Sequence, residues 1–153
     1  MTTGSSVVAE LRASLEALTG AVRRLEHSQL ERHGPEAEGW TAREVLAHLA
    51  DFELIAAVRV RTVLSLDRPV LATYDQEAFT ARFGALETPT EALERFTVNR
   101  RAMLRVLEAL TEADLDRPGL HPVRGEEPLR RTLEMVARHD RAHLEQLVRA
   151  AAG

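Results

Sequence analysis

The chain contains no cysteine and no lysine, and only one tryptophan and one tyrosine. Without cysteine there is no disulfide framework, no thiolate metal site and no cysteine nucleophile. The fold must stand on core packing, and any thiol chemistry must use a thiol brought in from outside. No apolar run approaches the ~20 residues of a membrane span. Residues Met1 to Ser6 lack the basic and apolar regions of a secretory signal. A cytoplasmic protein with no membrane partner is expected. Basic charge is carried by arginine alone, interleaved with acids at a net −4, and aromatics make up 4%. With no basic stripe, no nucleic-acid partner is expected.

What is present is helical pattern. The 153 residues are the size of one domain, 1–153, with an ordinary 44% of hydrophobic residues. Four long stripes recur at steps of three and four. The first runs from about Ser6 to Arg32 through Val8, Leu11, Leu15, Leu18, Val22 and Leu25, and Gly34 with Pro35 should stop it. The second opens on a capping box of Thr41 and Glu44, with Trp40 placed to staple onto Val45. It continues to Arg68-Pro69. The third opens on a second capping box, Thr88 and Glu91, with Pro89 as first helical residue. The fourth begins near Pro128 and reaches the C-terminus. Between the last two, Thr111 to Gly119 is expected to form one short helical turn.

No segment alternates with period two, and no hairpin turn is evident, so the fold class expected is all-α. The link between the first two helices is short. The link from Asp67 to Glu87 is longer than antiparallel neighbours need, and its middle, Asp75 to Arg82, should be a short helix. A crossover of that length lets the second and third helices run parallel. The expectation is an up-down-down-up four-helix bundle with a long crossover between helices 2 and 3.

Six histidines are present. His27, His33 and His121 fall off the stripes or in loops and read as solvated. His139 and His143 are four apart on the last helix, so their rings share one face about 5–6 Å apart at Cβ. Val136 and Leu129 lie on the same face, which turns both rings inward. His48 lies between Val45 and Phe52 on the buried side of the second helix. Three inward imidazoles are costly unless something pairs with them. If the second and fourth helices are antiparallel, the three meet at one level, about 10 Å from one end of the bundle. Three nitrogens form a candidate divalent-metal site with a coordination position left open, the pattern of catalytic rather than closed structural sites. Zn is the first choice of ion, with Ni or Mn as alternatives. Because histidine ligates only as the neutral ring, occupancy is expected to fall below roughly pH 6.

Three other residues lie near enough to support such a site. Asp51, one turn from His48, could orient an imidazole. Gln146 stands one turn beyond His143. Arg59 lies on the inward side of the second helix and needs an acid, for which Asp75 or Glu77 of the crossover are candidates. Phe52, Phe96 and Trp40 read as core rather than as walls of a site.

The segment Gly39-Trp40-Thr41-Ala42-Arg43-Glu44-Val45-Leu46-Ala47-His48-Leu49-Ala50-Asp51 resembles the second-helix motif of the DinB-like (DinB/YfiT-like) superfamily. Arg138 to Leu147 resembles its C-terminal helix motif, and Ala113 to Gly119 fits the linker before it. The likeness spans about Gly39 to Val148. It implies a four-helix bundle holding a divalent metal on three histidines, here His48, His139 and His143, and frequent dimers. It also implies metal-dependent enzymes that use a low-molecular-weight thiol such as bacillithiol or mycothiol. Many relatives carry a further histidine directly before the last ligand, where this chain has Ala142. The expected function is a metal-dependent enzyme acting on a small molecule, of thiol S-transferase or hydrolase type, as a homodimer. The alternative is a non-catalytic metal-binding or stress-related dimeric bundle.

Overall fold

The computed structural model describes residues 3–32 and 39–153 of the chain, with side chains from residue 6 in the first stretch. His33, Gly34 and Pro35 lie outside the described residues. Four long helices carry the fold: α1 (Thr3–Arg23), α3 (Ala42–Ser65), α5 (Pro89–Leu107) and α7 (Leu129–Ala152). Shorter pieces join them: α2 (His27–Leu30), α4 (Gln76–Phe83), α6 (Glu112–Leu115) and a hairpin of β1 (Pro118–His121) and β2 (Gly125–Pro128). None of the described helices is long and apolar enough to cross a membrane.

The core shows how the long helices run. At one end Val7 and Leu11 of α1 and Leu129 and Leu133 of α7 pack with the later turns of α3 and α5, among them Val60, Val63, Met103 and Leu107. At the other end Leu18 and Val22 of α1 and Leu147 and Ala150 of α7 pack with the first turns of α3 and α5, Val45, Leu46, Ala92 and Phe96. Hence α1 and α7 point one way and α3 and α5 the other. That is the up-down-down-up order, with residues 66–88 as the crossover.

The two capping boxes start their helices as expected. The Thr41 hydroxyl accepts from Glu44 N at 3.1 Å while the Glu44 carboxylate accepts from Thr41 N at 2.8 Å. Thr88 and Glu91 repeat this, with Pro89 at the first position. Asp75 caps α4 by accepting from Ala78 N at 2.9 Å.

Two expectations fail. The first stripe is not one helix to Arg32. It ends at Arg23, and α2 restarts after Glu26, whose extended backbone (φ −73°, ψ 154°) and capping box with Gln29 break the ladder. The apolar pattern hides this break because Leu25 and Leu30 pack into the same cluster as the helix before them. His27 is therefore the first residue of α2, and exposed.

His121 lies not in a loop but at the end of β1, in a hairpin that pairs Pro118 with Pro128 through His121 with Gly125. Its strands have four residues each, and the buried positions are Gly119 and Glu127, so no apolar alternation exists to be seen. Gly125 turns at φ +82°. A Cβ on Gly119 would stand 2.6 Å from a Leu71 methyl, so only glycine lets the strand lie against the crossover. The Leu71 N–H donates to the Leu120 carbonyl at 2.9 Å and closes this contact.

Candidate metal centre

The Thr41 cap fixes the start of α3, and two turns later His48 points into the bundle with 1% of its surface exposed. From the antiparallel α7, His139 and His143 meet it, both half-buried. The His48 Nε2 lies 2.9 Å from His139 Nε2 and 3.2 Å from His143 Nε2. One ligand atom from each ring falls within 4.8 Å of the others.

These distances fit a shared ion. Two imidazole nitrogens held at about 2.0–2.1 Å from one cation stand about 2.9–3.4 Å apart at right-angle to tetrahedral separation. Protons alone serve the cluster poorly. A single N–H on His48 satisfies one neighbour and leaves the other lone pair facing it. A doubly protonated ring would be a buried cation. Burial, and then the charge of His143, lower the His48 pKa to about 3. Burial, then His143, His48, Arg100 and Arg59, lower that of His139 to about 2. Both rings are thus held in the neutral form that ligates a metal.

The outer nitrogens are set by neighbours. The His143 Nδ1–H donates to the Gln146 amide oxygen at 2.7 Å, which leaves the Nε2 lone pair pointing at the cluster. The Tyr74 hydroxyl stands 3.5 Å from His48 Nδ1. His139 Nδ1 is buried with no hydrogen-bond partner among the described residues, and its ring instead lies against Phe52, centroids 3.8 Å apart. The Trp40 indole sits 5.0 Å from the His48 ring and 6.3 Å from that of His143. Trp40 and Phe52 are thus part of the core, as expected, and also lie against the histidine rings. Over His143 a cavity of about 400 Å³ opens between Trp40, Gln76 and Glu77 on one side and Ala142, Gln146 and Arg149 on the other.

Directly beside the histidines lies a second buried polar group. Arg100 of α5, 0% exposed, grips the Glu53 carboxylate with two bonds of 2.9 and 2.7 Å. It also donates to Asp140 at 2.8 Å and to the Leu11 carbonyl at 3.1 Å, and stacks over Phe96 at 4.8 Å. Burial pushes the Glu53 carboxyl up against the pull of Arg100. The ion pairs outweigh burial at Arg100 and hold its pKa above the ordinary value. A sign of this group was in the sequence. Arg100 interrupts the apolar stripe between Phe96 and Met103, and an inward arginine requires acids.

The other sequence candidates divide. Gln146 bonds the His143 ring, as above. The Asp51 carboxylate is taken by Arg95 at 2.9 Å, which also clasps Glu87, and it does not touch the histidines. Arg59 makes no ion pair with Asp75 or Glu77. Its Nε–H donates to the Ala72 carbonyl at 2.8 Å, and its guanidinium lies 5.9 Å from the Phe52 ring centre. A backbone carbonyl on the returning crossover thus serves where an acid was expected.

Comparison with known proteins places this geometry in context. The model of the DinB superfamily matches residues 6–147. A protein of Oceanobacillus iheyensis named "Putative metal-dependent hydrolase" is 27% identical over 110 residues, which are 71% of this chain and 63% of that one. A protein of the same name from Bacillus licheniformis is 26% identical over 145 residues, 92% of this chain and 80% of that one. Among solved structures, YfiT from Bacillus subtilis, described as a probable metal-dependent hydrolase with an unusual four-helix bundle topology, superposes with a TM-score of 0.88. It is 22% identical and the match covers 97% of this chain and 86% of that one. A mycothiol-dependent maleylpyruvate isomerase superposes with a TM-score of 0.75 at 17% identity, over 94% of this chain but 60% of its own.

Proposed function

The chain belongs to the DinB superfamily, and from that premise we propose that it is a metal-dependent enzyme whose divalent ion is held by His48, His139 and His143. The observation that carries this reading is the convergence of three imidazole nitrogens within 4.8 Å. Zn suits three imidazoles best, with Ni and Mn as alternatives. A bound ion would supply Lewis acidity at an open position, lowering the pKa of the nucleophile placed there, whether water or a small thiol.

The chain's own residues account for the remainder. Gln146 holds the His143 proton on Nδ1 and so keeps Nε2 available. Trp40, Phe52 and Tyr74 wall the rings and limit water to the side of the cavity. The cavity above His143 is the size of a small-molecule site. The reaction is transfer of a small thiol to an electrophile, or hydrolysis of one.

Protein purified without a metal-affinity tag should contain about one divalent ion per chain by elemental analysis. His143→Ala should lose most of it and lose turnover of a panel of thiols, esters and other electrophiles. Unchanged metal content in that variant would remove the site from this reading. The rival reading, a bundle clipped together by its metal, is opposed by two apolar clusters that pack without any help from the histidines. After chelation, circular dichroism should still show a cooperative thermal transition. Loss of helical signal at room temperature would favour the rival.

A further inference from the structure

The mouth above His143 carries two charges that the protein itself does not use. On α7, His143, Gln146 and Arg149 follow one another at steps of three and all line this mouth, with Arg149 about 9 Å along the axis from His143. Some arginines of this chain, Arg43, Arg95, Arg130 and Arg141 among them, rest on a carboxylate, and others lie on open surface. Arg149 makes no such pair among the described residues, although Glu145 stands one turn before it on the same helix. It is exposed and lines the cavity instead. Across the opening, Glu77 of α4 is likewise exposed, lines the cavity and has no ion-pair partner among the described residues. Ala142, beside them, is too small to fill the space.

Resting on the metal-site reading above, we infer that Arg149 selects the ligand of this mouth for a carboxylate carried a few atoms from the end that enters the histidines. A guanidinium presents a planar fork that a carboxylate matches with two bonds. Three neutral ligands also leave the charge of a divalent ion uncompensated, and an anionic arm lowers that charge. Glu77 fixes the side on which the arm lies, because an anion placed against it would be repelled. The ligand class is therefore a small molecule with a metal-binding atom at one end and a carboxylate at the other, oriented along α7.

The test uses the full chain loaded with Co²⁺ as a visible probe, titrated with three small thiols that differ in one charge. These are 3-mercaptopropionate (anionic), 2-mercaptoethanol (neutral) and cysteamine (cationic). Binding is read from the sulfur-to-cobalt absorption band, so no turnover is needed. Arg149→Gln should weaken 3-mercaptopropionate about fivefold and leave 2-mercaptoethanol unchanged, the size expected of an exposed charge contact. Arg149→Lys should recover part of that loss, and Glu77→Gln should tighten the anion while weakening cysteamine. High salt should erase these differences. An equal change for all three thiols, no change for any, or no thiol binding to cobalt-loaded protein would overturn the inference and leave the metal site standing. Failure of the wild-type chain to take up cobalt would overturn both.

Discussion

Two groups of polar side chains sit side by side in this bundle, both drawing on α3 and α7, and they are solved differently. Arg100, Glu53 and Asp140 close on themselves: one cation, two carboxylates, every guanidinium nitrogen in a bond. His48, His139 and His143 do not. The His48 and His139 rings are held neutral, and the outer nitrogen of His139 has no hydrogen-bond partner among the described residues. A saturated network specifies how the four helices pack, since each member comes from a different one and α1 supplies a carbonyl. The histidine cluster is more open, with only His48 fully buried, and it borders a cavity. Polar groups one residue apart on α7, His139 and Asp140, thus serve opposite ends.

The sharpest way to break this contrast is to remove the centre of the closed group. Arg100→Met leaves two buried carboxylates unpaired and should cost about 3–5 kcal/mol, read as a drop in the urea midpoint. Replacing Glu53 and Asp140 with leucine in the same chain should return most of that stability. If Arg100→Met alone were neutral, the group would not be the closed network described.

The histidines should show the opposite signature, a sensitivity to pH that the metal removes. In the unfolded chain these rings titrate near pH 6.5, whereas His48 and His139 in the fold are held to about 3 and about 2. Below pH 6.5 the unfolded state therefore binds protons that the folded state refuses. The stability of metal-free protein should be level above pH 6.5 and fall as pH drops from there toward 3, by at most about 2 kcal/mol per ring at pH 5. Saturating metal should flatten that fall. Because the fold itself refuses protons, competition for these two nitrogens begins well below the pH 6 expected of ordinary histidines. Equal denaturation midpoints at pH 7 and 5 without metal would contradict the burial of these rings.

Smaller effects separate the neighbours of the cluster. Gln146→Ala frees the His143 ring and its tautomer and should weaken metal about tenfold, measured by competition with a chelator. Asp51→Asn should leave metal affinity unchanged, because its carboxylate belongs to Arg95. A tenfold loss in that variant would return Asp51 to the site.

What could be read from the sequence was what local chemistry decides. A cap hydroxyl and the N–H it accepts from are three residues apart, so Thr41 with Glu44 and Thr88 with Glu91 marked helix starts that the structure keeps. Apolar spacing showed which side of each helix is buried, and so which histidines turn inward. The length of the crossover gave the helix order. Membership of the DinB superfamily was legible in the two motifs as well. Beyond that range the sequence was silent or misleading. Arg100 meets acids 47 and 40 positions away, Arg59 finds a carbonyl and Asp51 finds Arg95. Each choice depends on the register of one helix against another, at a distance where several charged residues are equally plausible in one dimension. The break after Arg23 and the hairpin escaped for a related reason. Packing accepts Leu25 and Leu30 from a broken helix as readily as from a continuous one. A strand that buries Gly119 and Glu127 leaves no apolar trace, because its place is set by contact with Leu71 and not by its own pattern.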